Sequence, residues 1–263
     1  MRRSRVSVFD LVWPPVVFGV AFLVLWEMAV KVFDFQTYFL PAPSAIWDAF
    51  RTNTALIWEA TKVSGLNALV GLIVGTALGI SMSFLLARFR LLHDLMTPLA
   101  IGLNAIPIFV LVAILNNMYP VTSEVPRRLM VTLVVYFIVL VNVARGLREV
   151  GQIQLELMRS YAASEAAILR KVRIPNAVPY LFIALKIAAP ASVITAFVSE
   201  YFGGSQNGLG SRIVSNIALS NNAEAWAYVL GACLLGLAFY LAALILERLG
   251  VPGGPGAVER VGA

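Results

Sequence analysis

Six predominantly apolar runs, residues 11–33, 65–87, 95–118, 129–143, 180–202 and 225–246, alternate with polar stretches along the chain. A bilayer crossing needs about 20 such residues, so each run predicts a transmembrane helix, the fourth extended through residues 144–147. Arg2, Arg3 and Arg5 precede the first run, which is too long for a cleaved signal and is followed by no small-x-small site. It is read as an uncleaved helix with its N-terminus inside. Within it Glu27 either faces a bundle interior or sits at the outer interface paired with Lys31 four residues on, and the pair favours the second reading. Residues 34–64 are mixed, with Pro41-Ala42-Pro43-Ser44 opening a short external helix over 45–51. Gly71, Gly75 and Gly79, four residues apart, leave one face of the second helix bare for close packing.

The third run holds Pro98, Asn104 and Pro107; Asn104 reads equally as lining a polar path or as bonding a neighbouring helix. Residues 116–128 predict an external polar loop whose Arg127 and Arg128 stand on the wrong side for the positive-inside rule. In the fifth run Lys186 is placed to snorkel to the inner interface, Pro190 to bend the helix, and Ser199 and Glu200 to lie on a solute path near the outer end. Residues 203–223 read as an external loop rich in Gly, Ser and Asn, and 250–263 as a flexible tail.

Between the fourth and fifth runs lies a basic, water-compatible segment, residues 156–179. Leu155, Met158 and Ala162, then Ala166, Leu169, Arg170 and Arg173, have helical spacing, with a break over 161–164. Ser164 is placed to cap the second helix, with Glu165 in its first turn. Pro175 is expected to end that helix by pushing Ile174 out of the helical region, and Pro179 repeats the restriction. This is built as a docking surface; the plainer alternative is a basic loop with two amphipathic helices.

Composition narrows the chemistry. The 263 residues are 60% apolar and 13% charged, with a mean hydropathy of +0.84, which marks a polytopic membrane protein. The net charge of +6 clusters beside the apolar runs, so it is read as setting topology rather than binding nucleic acid. Cys233 is the only cysteine and His93 the only histidine, which excludes a disulfide framework, a thiolate metal site and a paired-histidine zinc site. None of the four lysines follows a glycine, so the chain has no phosphate-binding loop and cannot hydrolyse ATP alone. Gly203-Gly204-Ser205 faintly suggests a serine nucleophile, but Asn207 stands where the closing glycine is needed. An intramembrane hydrolase and a secondary carrier or channel remain as the competing classes.

Read from Glu156, the basic segment resembles the cytoplasmic loop of ABC-importer inner-membrane permeases. The pattern is Glu-Ala-Ala, three residues, Gly, nine residues, then Ile-x-Leu-Pro. Here Ala162 stands at the glycine, Val172, Ile174 and Pro175 at the closing residues, and Leu157 and Met158 at the two alanines. The Pro-x-Pro-Ser stretch and Gly208-Leu209-Gly210 are also similar to the nitrate, sulfonate, taurine and thiamine-precursor branch. The resemblance implies an all-α type I importer permease with six transmembrane helices, a single domain over 1–263, and both termini cytoplasmic in a bacterial inner membrane. It implies two cytoplasmic ATPases that bind ATP and Mg, a second permease subunit, an external solute-binding protein, and no cofactor or metal in this chain. ATPase coupling falls to Glu156, Tyr161, Ala162, Ala163, Ser164, Arg170, Arg173 and Pro175, with Glu156 orienting the loop through hydrogen bonds or an Arg pair. Spans two and five are expected to form the central wall of the permease pair. Glu156-Leu157-Met158-Arg159-Ser160 with Pro179-Tyr180-Leu181-Phe182 resembles the thiamine-precursor pyrimidine and riboflavin branch more than the sulfonate, taurine or nitrate branch, which stays as the alternative.

Overall fold

The computed structural model describes residues 8–89 and 108–250, all in helices, turns or short connections. The helices are α1 Val8–Val32, α2 Pro43–Thr52, α3 Thr54–Arg88, α4 Ile108–Met118, α5 Val125–Arg148, α6 Gln152–Ser160 and α7 Glu165–Ile168. A π-helical turn, Leu169–Arg173, leads into α8 Ile174–Tyr201, followed by α9 Leu209–Ala218 and α10 Asn222–Gly250. Five described stretches are long and apolar enough to cross a membrane: α1, α3, α5, α10, and α7 through α8 as one 37-residue unit. The expected third span is described only over α4; Asn104, Pro98, Pro107 and His93 lie outside the described residues, as does the tail from 251.

Three boundaries differ from the sequence reading. Helix α3 starts at Thr54, eleven residues before the apolar run, because Ile57, Ala60 and Ser64 are buried. Helix α5 starts at Val125 with a proline in its first turn, so Arg127 and Arg128 are helical rather than in a loop. The stretch 203–223 is not all loop: Leu209 and Ile213 fall one turn apart and bury with Ala225, Ala227 and Tyr228, which folds α9.

Helix α5 lies between α3 and α8, and these are the most closely packed pairs. Val131, Val135, Val139, Val143 and Leu147 recur every fourth residue on α5 and are buried. Their ridge enters the groove left by Gly71, Gly75 and Gly79 on α3, as two i+4 rows should interdigitate. A Cβ on Gly75 would lie 2.7 Å from the Thr132 carbonyl and 2.8 Å from Val135, and one on Gly79 2.9 Å from the Tyr136 carbonyl. The bare face is therefore filled within the chain, not by a second subunit. Ala177, Ala184 and Ala188 of α8 complete this core on the other side of α5.

Two carboxylates tie the outlying helices on. Glu27 pairs with Lys31 at 2.8 Å and also accepts from the Ser44 backbone N–H at 3.0 Å and the Ser44 hydroxyl at 2.8 Å. It thus satisfies an end group of α2 that Ala42 has no side chain to reach. Lys186 does not snorkel: it donates to Glu247 at 2.8 Å, joining α8 to α10, and Glu247 is buried. A half-buried ammonium beside a buried carboxylate gains more from the pair than from reaching toward water.

Candidate functional site

At one end of the bundle the segment 152–173 projects from a clamped base. Asn176 donates to the carbonyls of Gly146 at 2.7 Å and Glu149 at 3.0 Å. Glu149 accepts from Arg145 Nε at 2.8 Å and from Tyr180 Oη at 3.0 Å, and these bonds, Arg145 first, hold its carboxyl below the usual range. Gly146 lets the Ala177 backbone and Tyr180 ring close on α5, where a Cβ would meet both at 2.8 Å. The end of α5 and the start of α8 are therefore one rigid footing.

Helix α6 stands out from that footing with no buried residue. Ile153, Leu157 and Tyr161, at i, i+4 and i+8, are 82%, 55% and 77% exposed and form one apolar stripe. The helix ends in a Schellman turn: the Ala163 N–H reaches the Met158 carbonyl at 3.0 Å and the Ala162 N–H that of Arg159 at 2.9 Å. Ala162 has φ +48, the left-handed conformation that a glycine would take without strain. Ser164 then caps α7, its hydroxyl accepting the Ala167 N–H at 3.3 Å, as expected.

Pro175 does not end the second helix. Ile174 is helical at φ −63 and ψ −52, and its N–H bonds the Leu169 carbonyl five residues back. In a regular α-helix the proline ring would strike the carbonyl four residues earlier and lose its own bond. The π-turn adds a residue just upstream and moves that carbonyl away, so α7 runs into α8 without a break. Glu156 is exposed and makes no hydrogen bond or ion pair among the described residues, so the expected Arg pair is absent. Arg173 instead faces Glu165 at 3.9 Å.

The opposite end carries a polar cluster that joins four elements. Arg127 is 1% exposed; its Nη1 donates to Glu124 at 2.7 Å and Asn207 at 3.0 Å, and its Nη2 to the Ser205 carbonyl. Glu124 also accepts from Asn67 at 2.8 Å and Asn207 at 2.9 Å, while Arg128 donates to Asn67 at 3.0 Å. Burial opposes ionisation of Glu124, but the bonds from Asn207 and Asn67 and the Arg127 charge prevail and lower its pKa. Beside this cluster the Ser64 hydroxyl lies 2.7 and 2.9 Å from the two Glu200 oxygens. Glu200 also accepts the Gly210 N–H at 3.0 Å, and Ser64 the Leu209 N–H at 2.9 Å. The carboxylate fills the space where a Gly208 side chain would be, and the Phe197 carbonyl that of Gly210. The Gly-Leu-Gly run is thus shaped by close approach to α8.

A family profile described as "Binding-protein-dependent transport system inner membrane component" matches residues 75–252. That match spans α5, the projecting segment, α8, α9 and α10. The chain belongs to this permease family. A probable ABC transporter permease protein of Haemophilus influenzae is 32% identical over 202 residues, 76% of this chain and 80% of that protein. The formylaminopyrimidine transport permease ThiX of Halalkalibacterium halodurans is 26% identical over 243 residues, 90% and 94% of the two chains. Relatives at 23–25% identity are named for riboflavin, aliphatic sulfonates and bicarbonate. An inward-facing structure of the MetNI methionine ABC transporter shares the fold, with a TM-score of 0.58 at 18% identity over 74% of this chain and 94% of that one.

In this ABC permease, then, the expected coupling residues are neighbours. Tyr161, Ala162, Ala163 and Ser164 form the turn, with Arg170 and Arg173 in the π-turn and Pro175 just beyond. Of the expected path residues, Ser199 is buried and donates to the Thr195 carbonyl at 2.8 Å, Glu200 is enclosed by Ser64 and α9, and Asn104 lies outside the described residues. Sequence reasoning missed Ile153 and Leu157, whose i+4 spacing with Tyr161 was visible. It also missed the pairing of Arg127, whose partner Asn207 is 80 residues away.

Proposed function

We propose that this permease works in an ATP-driven importer in which two cytoplasmic ATPases, binding ATP and Mg, dock on residues 152–173. A second permease subunit completes the pathway, an external binding protein delivers the solute, and both termini face the cytoplasm of a bacterial inner membrane. The carrying observation is the stripe of Ile153, Leu157 and Tyr161, three exposed apolar side chains on and just beyond a short helix that projects from the clamped junction of α5 and α8. Such a stripe fits a groove on a partner in the way amphipathic helices are received elsewhere. Movement of the docked segment passes to α8 because α7, the π-turn and α8 are one continuous helix.

For the solute, the neutral heteroaromatic class, pyrimidine or flavin-like, is the better fit. At the end opposite the docking segment the buried cation, Arg127, is compensated by Glu124 at 2.7 Å, with Glu200 close by. A sulfonate or bicarbonate would need a bare cation there. The measurement is a thermal shift of the cognate external binding protein against formylaminopyrimidine, riboflavin, taurine and bicarbonate. Stabilisation by a neutral ring compound is expected; stabilisation by taurine or bicarbonate alone would replace this reading with the anionic one.

A further inference from the structure

The connection from α8 to α9 closes over two buried donors that this conformation leaves without acceptors. Arg127 uses Nη1 and Nη2 on Glu124, Asn207 and Ser205, yet its buried Nε–H has no acceptor among the described residues. The same holds for Nδ2 of Asn116, near the end of α4. Both lie under the same piece of backbone. A Cβ on Gly204 would sit 3.4 Å from Arg127 Nη2, 3.8 Å from its Nε and 3.4 Å from Asn116 Oδ1, and one on Gly203 3.5 Å from Asn116 Nδ2. Gly203 and Gly204 lie flat on these side chains at φ +127 and +85, conformations that side-chain-bearing residues rarely adopt.

Buried donors are nearly always satisfied, and leaving one bare costs its full desolvation, so a second state that supplies acceptors is favoured. The covering segment is built to leave. Residues 203–207 are Gly-Gly-Ser-Gln-Asn, none of them buried, and Arg127 and Glu124 hold them by polar contacts that water can replace. Downstream, Ser64 and Glu200 fix the start of α9, so the loop can lift without unseating that helix.

We propose that Arg127 and Asn116 form a solute-recognition point, covered here by residues 203–205, whose donors take the carbonyl or ring-nitrogen acceptors of a neutral solute when the loop lifts. The inference rests on the importer reading above. Compensation of Arg127 by Glu124 selects against a charged ligand, because an added anion would face the Glu124 carboxylate.

The test is equilibrium dialysis of the purified permease–ATPase complex, trapped with ATP and vanadate, against radiolabelled formylaminopyrimidine and riboflavin. Asn116→Ala is the informative variant, since an unpartnered donor contributes nothing to the closed fold. Its thermal midpoint should equal or exceed the parent's, while binding of whichever solute the parent takes should weaken about tenfold, the loss of one hydrogen bond to a charged or amide donor. Equal binding by parent and Asn116→Ala would overturn the recognition point. So would absence of saturable binding to a parent complex whose vesicles take up either compound, an outcome that leaves the importer reading standing. Uptake of taurine with neither ring compound would overturn the recognition point together with the neutral-solute reading, and the importer reading would stand.

Discussion

Ala162 holds a backbone conformation that its own side chain disfavours. The turn it makes is fixed by two hydrogen bonds and by the start of α7, so the left-handed φ is imposed by its neighbours. Left-handed backbone costs an L-residue roughly 1–2 kcal/mol, and the added chain entropy of glycine returns about 0.4–1 of that. Ala162→Gly should therefore stabilise the permease by about 0.5–1 kcal/mol, seen as a small rise in Tm, and Ala162→Val should lower it. Glu124 makes a second residue-scale case. Its pKa is lower in the fold, so its contribution is present above the ordinary carboxylate range and is lost as pH falls through the folded value. The Tm difference between parent and Glu124→Gln should be full at pH 7 and shrink below about pH 4, where the unfolded carboxyl already protonates. A difference that grows on acidification would contradict the pairing.

At the scale of elements, the α3–α5 contact is backbone against backbone. Gly75→Ala places a methyl 2.7 Å from the Thr132 carbonyl, which cannot rotate away, and overpacking of this kind costs roughly 1–3 kcal/mol. Gly236, with nothing within 4 Å, provides the control: alanine there should stabilise its helix by about 0.5–1 kcal/mol. Thermal unfolding of the two variants in detergent checks both. Equal effects would show that the glycines do not mark a close approach. The membrane helices were legible from apolar run length, and the glycine face from its period of four. Its partner was not: nothing local says whether a bare face meets the same chain or another. Helix α9 was hidden because Gly210, Ser211, Ser215 and Asn216 give it a loop-like composition, and of its large apolar residues only Leu209 and Ile213 are buried. The π-turn was hidden because the rule for residues before proline assumes a regular helix, and one extra residue upstream removes the clash.

For the whole molecule, the two ends differ in how much the sequence disclosed. The segment 152–173 is local, with its cap, turn and stripe all within 22 residues, so the cap and the break could be read directly even though Ile153 and Leu157 of the stripe were passed over. The opposite cluster joins residues 57 to 83 positions apart, and all of them but Asn67 looked like loop residues. What binds the ends together is α8, clamped to α5 at its base and carrying Glu200 under α9 at its far end. The central claim is that residues 152–173 receive the ATPases and drive that helix. It is tested by Leu157→Glu, which sets a charge on the exposed stripe, and Ala163→Glu, which crowds the bend; burying an unpaired charge in a contact costs a few kcal/mol. The measurement is co-purification of the ATPase subunits with each membrane-inserted variant, together with solute uptake into vesicles. The account predicts folded permease, lost ATPases and no uptake; variants that keep their ATPases and transport at the parental rate would contradict it.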